Sequence, residues 1–274
     1  MIPAAFDYVR AESVDHALSL MGQYGDEAKY VAGGHSLLPL MKLRLAQPAV
    51  LVDIARIEGL GYIRDVGEYI AIGALARHTD VERSPVVVKH APLLSQTAGE
   101  VGDPQVRHRG TIGGSIAHAD AASDLPATTL ALGATFVAQG PAGTRTIAAA
   151  DFYTGFLECA LLPGELLTEI RIPKMESAGW SFQKFNRRAQ DWAIVGVSAW
   201  RRGDDTGIAL INMASIPVLA TSVMEAIKTG ASIAEAALLA SHDAEPQSDT
   251  NASAEYRSHL ARVMVRRALE TSTS

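Results

Sequence analysis

The chain has 274 residues and a mass of 29.0 kDa, with 48% hydrophobic and 20% charged residues, which is typical of a globular protein with two or three packed subdomains. Its net charge of -6 argues against a nucleic-acid-binding protein, because such proteins are usually basic. No apolar run reaches the roughly 18 residues of a transmembrane segment, and the first residues lack the features of a signal peptide. We therefore expect a cytoplasmic protein.

The cysteine content limits the redox chemistry that this chain can perform alone. Cys159 is the single cysteine, so no intrachain disulfide can form. An iron–sulfur cluster usually needs four thiolates, so any cluster must lie on another chain. We expect Cys159 to be a small buried hydrophobic residue.

The first predicted unit, residues 1–58, resembles a compact βαβ arrangement. Apolar residues recur at helical spacing over residues 14–25, with Ser13 as a candidate N-cap and Gly25 as a candidate C-cap. The remaining predicted elements are a strand at 29–32, a helical turn at 36–43 and a buried strand at 50–54.

The second predicted unit covers residues 59–173 and the third covers residues 174–274. The second should contain strands at 62–65, 69–73, 134–139, 145–148 and 165–173, helices at 79–82, 92–101 and 127–132, and a loop at 107–114. The third should contain three antiparallel strands at 180–185, 193–201 and 207–214, and helices at 221–229, 233–240 and 253–271. This mixture predicts an α+β fold.

A first glycine-rich stretch, Ala32-Gly33-Gly34-His35-Ser36-Leu37, leaves a predicted strand and enters a predicted helix. Two adjacent glycines have no Cβ atoms and permit positive φ, so backbone amides can turn toward an anion. The helix N-terminus adds partial positive charge, and Ser36 can donate its hydroxyl. A Gly-Gly pair alone favours a tight strand-to-helix turn instead. The stretch is neither a Walker A loop nor a Gly-x-Gly-x-x-Gly fingerprint.

A second glycine-rich stretch, 109–117, contains Thr111, Gly114 and Ser115, and Asp124 follows it. Its hydroxyls can donate to phosphate, and we expect its main-chain nitrogens to do the same. Asp124 either accepts hydrogen bonds from a ribose diol or caps a helix, and the sequence leaves both interpretations open. Two such loops predict one dinucleotide whose pyrophosphate is held from two sides.

Together these stretches resemble a known family, the medium subunits of the carbon monoxide dehydrogenase type, which are similar to the FAD domain of xanthine dehydrogenase. The resemblance spans nearly the whole chain in order. It rests on residues 32–39, Arg44-Leu45, 48–53, 72–74, 92–94, 105–107, 111–115, 123–126, 164–167, 182–185, Arg187-Arg188, Tyr256-Arg257 and 267–269.

This resemblance implies an FAD-binding fold of the vanillyl-alcohol oxidase type, built from two α/β subdomains, followed by a C-terminal α+β domain. The implied FAD ligands are Ala32, Gly33, Gly34, His35, Ser36 and Leu37 on one side of the pyrophosphate, Thr111, Gly114 and Ser115 on the other, Asp124 at the ribose or adenine, and Leu167 (or Leu166) and Lys184 near the flavin. Family members often have asparagine at Ser115 and a proline within 120–124, so the path of this loop is less firmly implied. We favour core packing for Trp192 over a place at the flavin.

The resemblance further implies an electron-transfer subunit of a molybdenum hydroxylase, with a large molybdenum-cofactor subunit and a small 2Fe-2S subunit as partners. A heterotrimer or its dimer is expected, with no catalytic acid or base and no metal site on this chain. His35 is left open as a second-sphere group, and the scattered histidines His78, His90, His108 and His118 are interpreted as structural or solvated. The alternatives are a self-contained FAD oxidase of the same fold and a scaffold without FAD.

Overall fold

The computed structural model describes residues 2–272 of the chain, and its first part is built on a three-stranded parallel sheet. The elements are β1 (Asp7–Arg10), α1 (Val14–Tyr24), β2 (Ala28–Val31), α2 (Leu37–Lys42) and β3 (Val50–Asp53), with sheet order β1-β3-β2. The predicted caps of α1 are confirmed, because Ser13 accepts a hydrogen bond from the His16 amide and Gly25 adopts a φ of 56°.

Strand β1 was not predicted. It is four residues long and mostly exposed, so it has neither the length nor the apolar alternation that identifies a strand. Its pairing with β3 is parallel and joins residues far apart in the sequence. Only the tertiary structure supplies that partner.

The second part of the chain is built on a five-stranded antiparallel sheet, ordered β4-β5-β10-β6-β7, with helices packed on it. Its strands are β4 (Ile63–Asp65), β5 (Tyr69–Gly73), β6 (Thr135–Gly140), β7 (Gly143–Ala148) and β10 (Leu166–Pro173), and a separate pair is β8 (Tyr153–Gly155) and β9 (Glu158–Cys159). Its helices are α3 (His78–Arg83), α4 (Pro85–His90), α5 (Pro92–Gly99), α6 (Pro104–Arg107), α7 (Ile112–His118) and α8 (Asp124–Ala131). Both predicted hairpins are confirmed.

The predicted loop at 107–114 is confirmed over residues 108–111 and is wrong at both ends. Helix α6 ends at Arg107, the first residue of the predicted loop. Helix α7 begins at Ile112, so Gly113 and Gly114 lie in its first turn. Thr111 caps this turn by accepting a hydrogen bond from the Gly114 amide at 3.2 Å. The cap overrides the low helix propensity of the two glycines.

The third part has a four-stranded antiparallel sheet rather than the predicted three strands. The elements are β11 (Gly179–Phe185), β12 (Val195–Arg202), β13 (Asp205–Ile211), β14 (Val218–Leu219), α9 (Thr221–Lys228), α10 (Ile233–Ala237) and α11 (Ala254–Thr271). Strand β14 has only two residues, too few to show a strand periodicity.

This third sheet is covered on both faces. Ile208 and Leu210 of β13 belong to a core with the C-terminal helices, whereas Ala209 and Ile211 belong to the core of the second part. A buried chain of hydroxyls joins the parts: Thr128 of α8 lies 3.0 Å from the Thr97 hydroxyl and 2.5 Å from the Ser198 hydroxyl. The alternating strand thus fixes the third part against helices α5 and α8.

Helix α11 is anchored by a buried arginine. Arg257, 2% exposed, donates to the Asp249 carboxylate at 2.7 Å and to the backbone carbonyl of Ile194. Burial alone raises the pKa of Asp249, but the amides of Asn251 and Ala252 and the Arg257 guanidinium outweigh it and lower the pKa to about 2. The carboxylate is therefore ionised at every physiological pH.

Candidate functional site

The first glycine loop connects β2 to α2 and presents a row of backbone amides. Within residues 2–272, the N–H groups of Gly33 to Leu37 donate to no protein acceptor. Gly34 adopts a φ of 75°, a conformation that turns successive amides toward one side. Ser36 stands at the N-cap position, yet its hydroxyl makes no capping bond. The loop therefore offers five N–H donors and one hydroxyl to an anion.

Helix α2 contributes less than the sequence suggested. It has six residues, so its dipole is short. The predicted partial charge of a helix N-terminus is therefore a minor contribution. The amides of the loop itself account for most of the donor capacity at this point.

The two glycine loops are in direct backbone contact. A Cβ atom added to Gly33 would lie 2.3 Å from the Arg109 carbonyl oxygen and 2.8 Å from the Gly110 Cα. A Cβ added to Gly110 would in turn lie 2.6 Å from the His78 Nε2. Glycine is required at Gly33 because no side chain fits between the loops, and at Gly110 because the His78 ring of α3 lies directly against it. The prediction that the two loops lie together is confirmed.

The second loop differs from the first in its donors. Four of its amides are already used: Ile112 donates to the Ala76 carbonyl at 3.0 Å, Gly113 to the Ala74 carbonyl at 2.9 Å, and Gly114 and Ser115 to Thr111. These four amides therefore do not fit the expectation that main-chain nitrogens of this loop face a phosphate. Among the described residues, the donors that remain available are the Thr111 amide and the hydroxyl groups of Thr111 and half-buried Ser115.

Asp124 and Lys184 form a buried ion pair. The carboxylate Oδ2 lies 2.7 Å from Nζ, each side chain is 6% exposed, and Nζ also donates to the Glu100 carbonyl at 3.1 Å. Residue Ser123 occupies the N-cap position of α8, so the N-cap interpretation of Asp124 is wrong. The structure brings together two side chains that are 60 positions apart in the sequence.

This ion pair leaves one acceptor free. Among the described residues, the buried Oδ1 of Asp124 has no hydrogen-bond partner. Burial raises the pKa of Asp124 to about 6, although Lys184 opposes this change. At neutral pH the group is mostly ionised, and Oδ1 keeps an acceptor capacity that no described protein donor fills.

Leu167 and Trp192 have opposite environments. Leu167 lies on β10 in the main core and is 4% exposed, and its place beside a flavin stays a prediction. Trp192 lies between β11 and β12 and is 56% exposed, so the core-packing interpretation is wrong. Cys159 is half-buried against the main core, and its thiol lies 3.6 Å from the Ala117 carbonyl.

His78 supports the second loop, so of the two interpretations given from the sequence, structural or solvated, the structural one is correct for this residue. Its backbone amide donates to the Gly110 carbonyl at 3.1 Å, and its ring is buried under the same residue. Burial, and then the charges of His35 and Arg107, lower the pKa of His78 to about 4, so the ring stays neutral. His35 itself is exposed in the first loop. Nothing in the spacing of an isolated histidine reveals such packing.

Residues 2–272 show neither a metal centre nor a membrane-spanning helix. They contain no group of three or more histidine, cysteine, aspartate or glutamate side chains arranged to hold a metal ion. No helix in this part of the chain is both long and apolar enough to cross a membrane.

The free amides, the glycine contact and the unpartnered Asp124 oxygen fit a dinucleotide, and comparisons with known proteins identify it. A family model for the FAD binding domain in molybdopterin dehydrogenase matches residues 4–175, and one for the CO dehydrogenase flavoprotein C-terminal domain matches residues 180–272.

Individual relatives agree with these models. The chain is 40% identical to the carbon monoxide dehydrogenase medium chain of Hydrogenophaga pseudoflava, covering 98% of this chain and 97% of the relative. It is 39% identical to the 6-hydroxypseudooxynicotine dehydrogenase complex subunit alpha of Paenarthrobacter nicotinovorans, covering 98% and 95%.

A solved structure of carbon monoxide dehydrogenase from Hydrogenophaga pseudoflava, which lacks the Mo-pyranopterin moiety of its cofactor, superposes with a TM-score of 0.96 at 41% identity, covering 99% of this chain and 98% of that one. The predicted FAD-binding fold with an added C-terminal domain is confirmed. The chain belongs to the family of FAD-binding medium subunits of molybdenum hydroxylases, which are oxidoreductase components.

Proposed function

We propose that this chain relays electrons within a molybdenum hydroxylase, receiving them from iron–sulfur clusters on a partner subunit and delivering them through FAD to a terminal acceptor. The observation that carries the proposal is the row of free amides from Gly33 to Leu37, packed directly against the second glycine loop. FAD, when bound, supplies the one- and two-electron redox chemistry.

The residues of this chain bind and orient the cofactor. The first loop holds the pyrophosphate by its amides and by Ser36, and Thr111 and Ser115 donate their hydroxyls from the second loop. Asp124 accepts a hydrogen bond from the ribose or adenine half, and Lys184 holds that carboxylate in place. The three predicted units, 1–58, 59–173 and 174–274, would then each contribute residues to one FAD site.

The source of the electrons must lie outside this chain. Cys159 is its single cysteine, so four thiolates for a cluster are lacking. We therefore propose a small 2Fe-2S subunit and a large molybdenum-cofactor subunit as partners, in a heterotrimer or its dimer. Similarity to a carbon monoxide dehydrogenase medium chain over nearly the full length supports this arrangement.

The chain expressed alone provides the first test. We expect a yellow protein with one FAD per chain and no stoichiometric iron or molybdenum. After addition of a reduced partner subunit carrying 2Fe-2S clusters, anaerobic stopped-flow absorbance should show bleaching of the flavin. A protein that stays colourless after incubation with FAD argues against the proposal. Steady-state oxidation of a small substrate by the isolated chain with oxygen would instead identify a self-contained oxidase.

A further inference from the structure

A basic cleft lies beside the second glycine loop and has no part in the proposed FAD site. Its volume is about 650 Å³, and it is widely open to solvent. It is lined by Arg77, Thr79, Asp80, Arg83, Ser84 and His108. Arg77 also forms a β-bridge with Thr111, so the cleft adjoins the loop without sharing its donors.

Positive charge in this cleft is not neutralised by ion pairs. Neither Arg77 nor Arg83 forms a salt bridge with any residue that the structure describes. The nearby Arg107, by contrast, is paired with Glu82 at 3.1 Å. Although the chain has a net charge of -6, two unpaired guanidinium groups at one place create a local positive potential that attracts anions.

The donor groups of the cleft are partly fixed in position. Arg77 Nη1 donates to the His108 carbonyl at 2.7 Å, which holds the guanidinium at the rim. The one carboxylate, Asp80, accepts a hydrogen bond from the Arg77 backbone amide at 3.0 Å at the start of α3. None of the guanidinium N–H groups of Arg83 donates to a described residue, so this side chain can donate the most hydrogen bonds to a ligand.

We propose that this cleft binds the phosphate group of a small molecule, separate from the dinucleotide on the glycine loops. Two guanidinium groups and the hydroxyls of Thr79 and Ser84 provide more donors than the two oxygens of a carboxylate can use. The three terminal oxygens of a phosphate match them, and charge-assisted bonds to a guanidinium are the strong ones.

The test uses the FAD-loaded chain, in which the glycine loops are occupied. Isothermal titration with inorganic phosphate, and separately with ADP, should give binding at low ionic strength. Arg83→Gln should weaken phosphate binding about tenfold or more, because one charged donor group is lost. Arg188→Gln is the matched control, since Arg188 is 81% exposed and paired with Asp191 elsewhere. It should leave phosphate binding unchanged.

Three results would overturn the proposal: no phosphate binding to the FAD-loaded chain, equal binding by Arg83→Gln, or Arg83-dependent binding of a glutamate-rich peptide without binding of phosphate. The last result would mark an acidic protein partner. A chain that holds no FAD would instead contradict the proposed function. In that case the Arg83→Gln comparison still tests the cleft, because phosphate on the loop amides does not depend on Arg83.

Discussion

Gly33 is the position where one methyl group most sharply tests the two-loop site. In Gly33→Ala, the new Cβ would begin 2.3 Å from the Arg109 carbonyl oxygen, whereas ordinary contacts start near 3.4 Å. The neighbouring atoms are backbone, so the loops must separate by about 1 Å, and strain of this kind costs about 1–3 kcal/mol. If the strain is borne by the site, FAD affinity falls roughly 5- to 150-fold.

The assay is FAD titration into apoprotein, followed by flavin fluorescence, with circular dichroism to verify the fold. Gly22→Ala is the matched control, because Gly22 lies in α1 and a Cβ there meets nothing within 4 Å. It should bind FAD normally and gain about 0.5–1 kcal/mol of stability, as alanine does in helices. A folded Gly33→Ala protein with unchanged FAD affinity would refute the reasoning that close backbone contact forms the site.

Three further substitutions test the supporting structure by urea unfolding. Burial raises the pKa of Asp124 to about 6, so the contribution of this carboxyl group to stability is fully present below about pH 4, its ordinary pKa, and is lost as the pH rises through about 6. Lys184→Met raises this pKa further, so the variant should be about 1–3 kcal/mol less stable than wild type at pH 8 and not at pH 5; a difference independent of pH would contradict the coupling. Asp249→Asn should lower the unfolding free energy by about 1–2 kcal/mol at pH 7, a value discounted for the partial exposure of Asp249. Because its pKa is lowered to about 2, that loss should shrink as pH falls below 4, and a constant loss would refute the role of its charge. Thr128→Val should cost about 1–3 kcal/mol by leaving buried hydroxyls unpaired, and an unaffected protein would show that the hydroxyl chain is not stabilising.

The sequence predicted those helices and strands whose own residues show capping, turn or periodicity patterns. Helix α1 is bounded by a serine and a glycine with the expected capping geometry, and the hairpins follow alternating apolar residues around turn residues. Strands β1 and β14 were missed because they are short and owe their pairing to distant strands. Secondary structure of this kind is decided by tertiary contacts.

The site shows the same division. Glycine pairs predicted loops without side chains, and the contact of Gly33 with the Arg109 carbonyl confirms that they meet. The sequence could not show that the amides of the second loop are consumed by Ala74, Ala76 and Thr111, because those bonds depend on the three-dimensional path. Trp192 was misjudged because a large aromatic residue usually packs inside, whereas this one lies exposed in the connection between β11 and β12.

The position of the pyrophosphate decides the central claim most directly. A crystal structure of the FAD-loaded chain should place pyrophosphate oxygens about 3 Å from backbone nitrogens between Gly33 and Leu37, with the Thr111 or Ser115 hydroxyl donating from the opposite side. Bound FAD whose pyrophosphate lies elsewhere, with those amides left facing solvent, would contradict it.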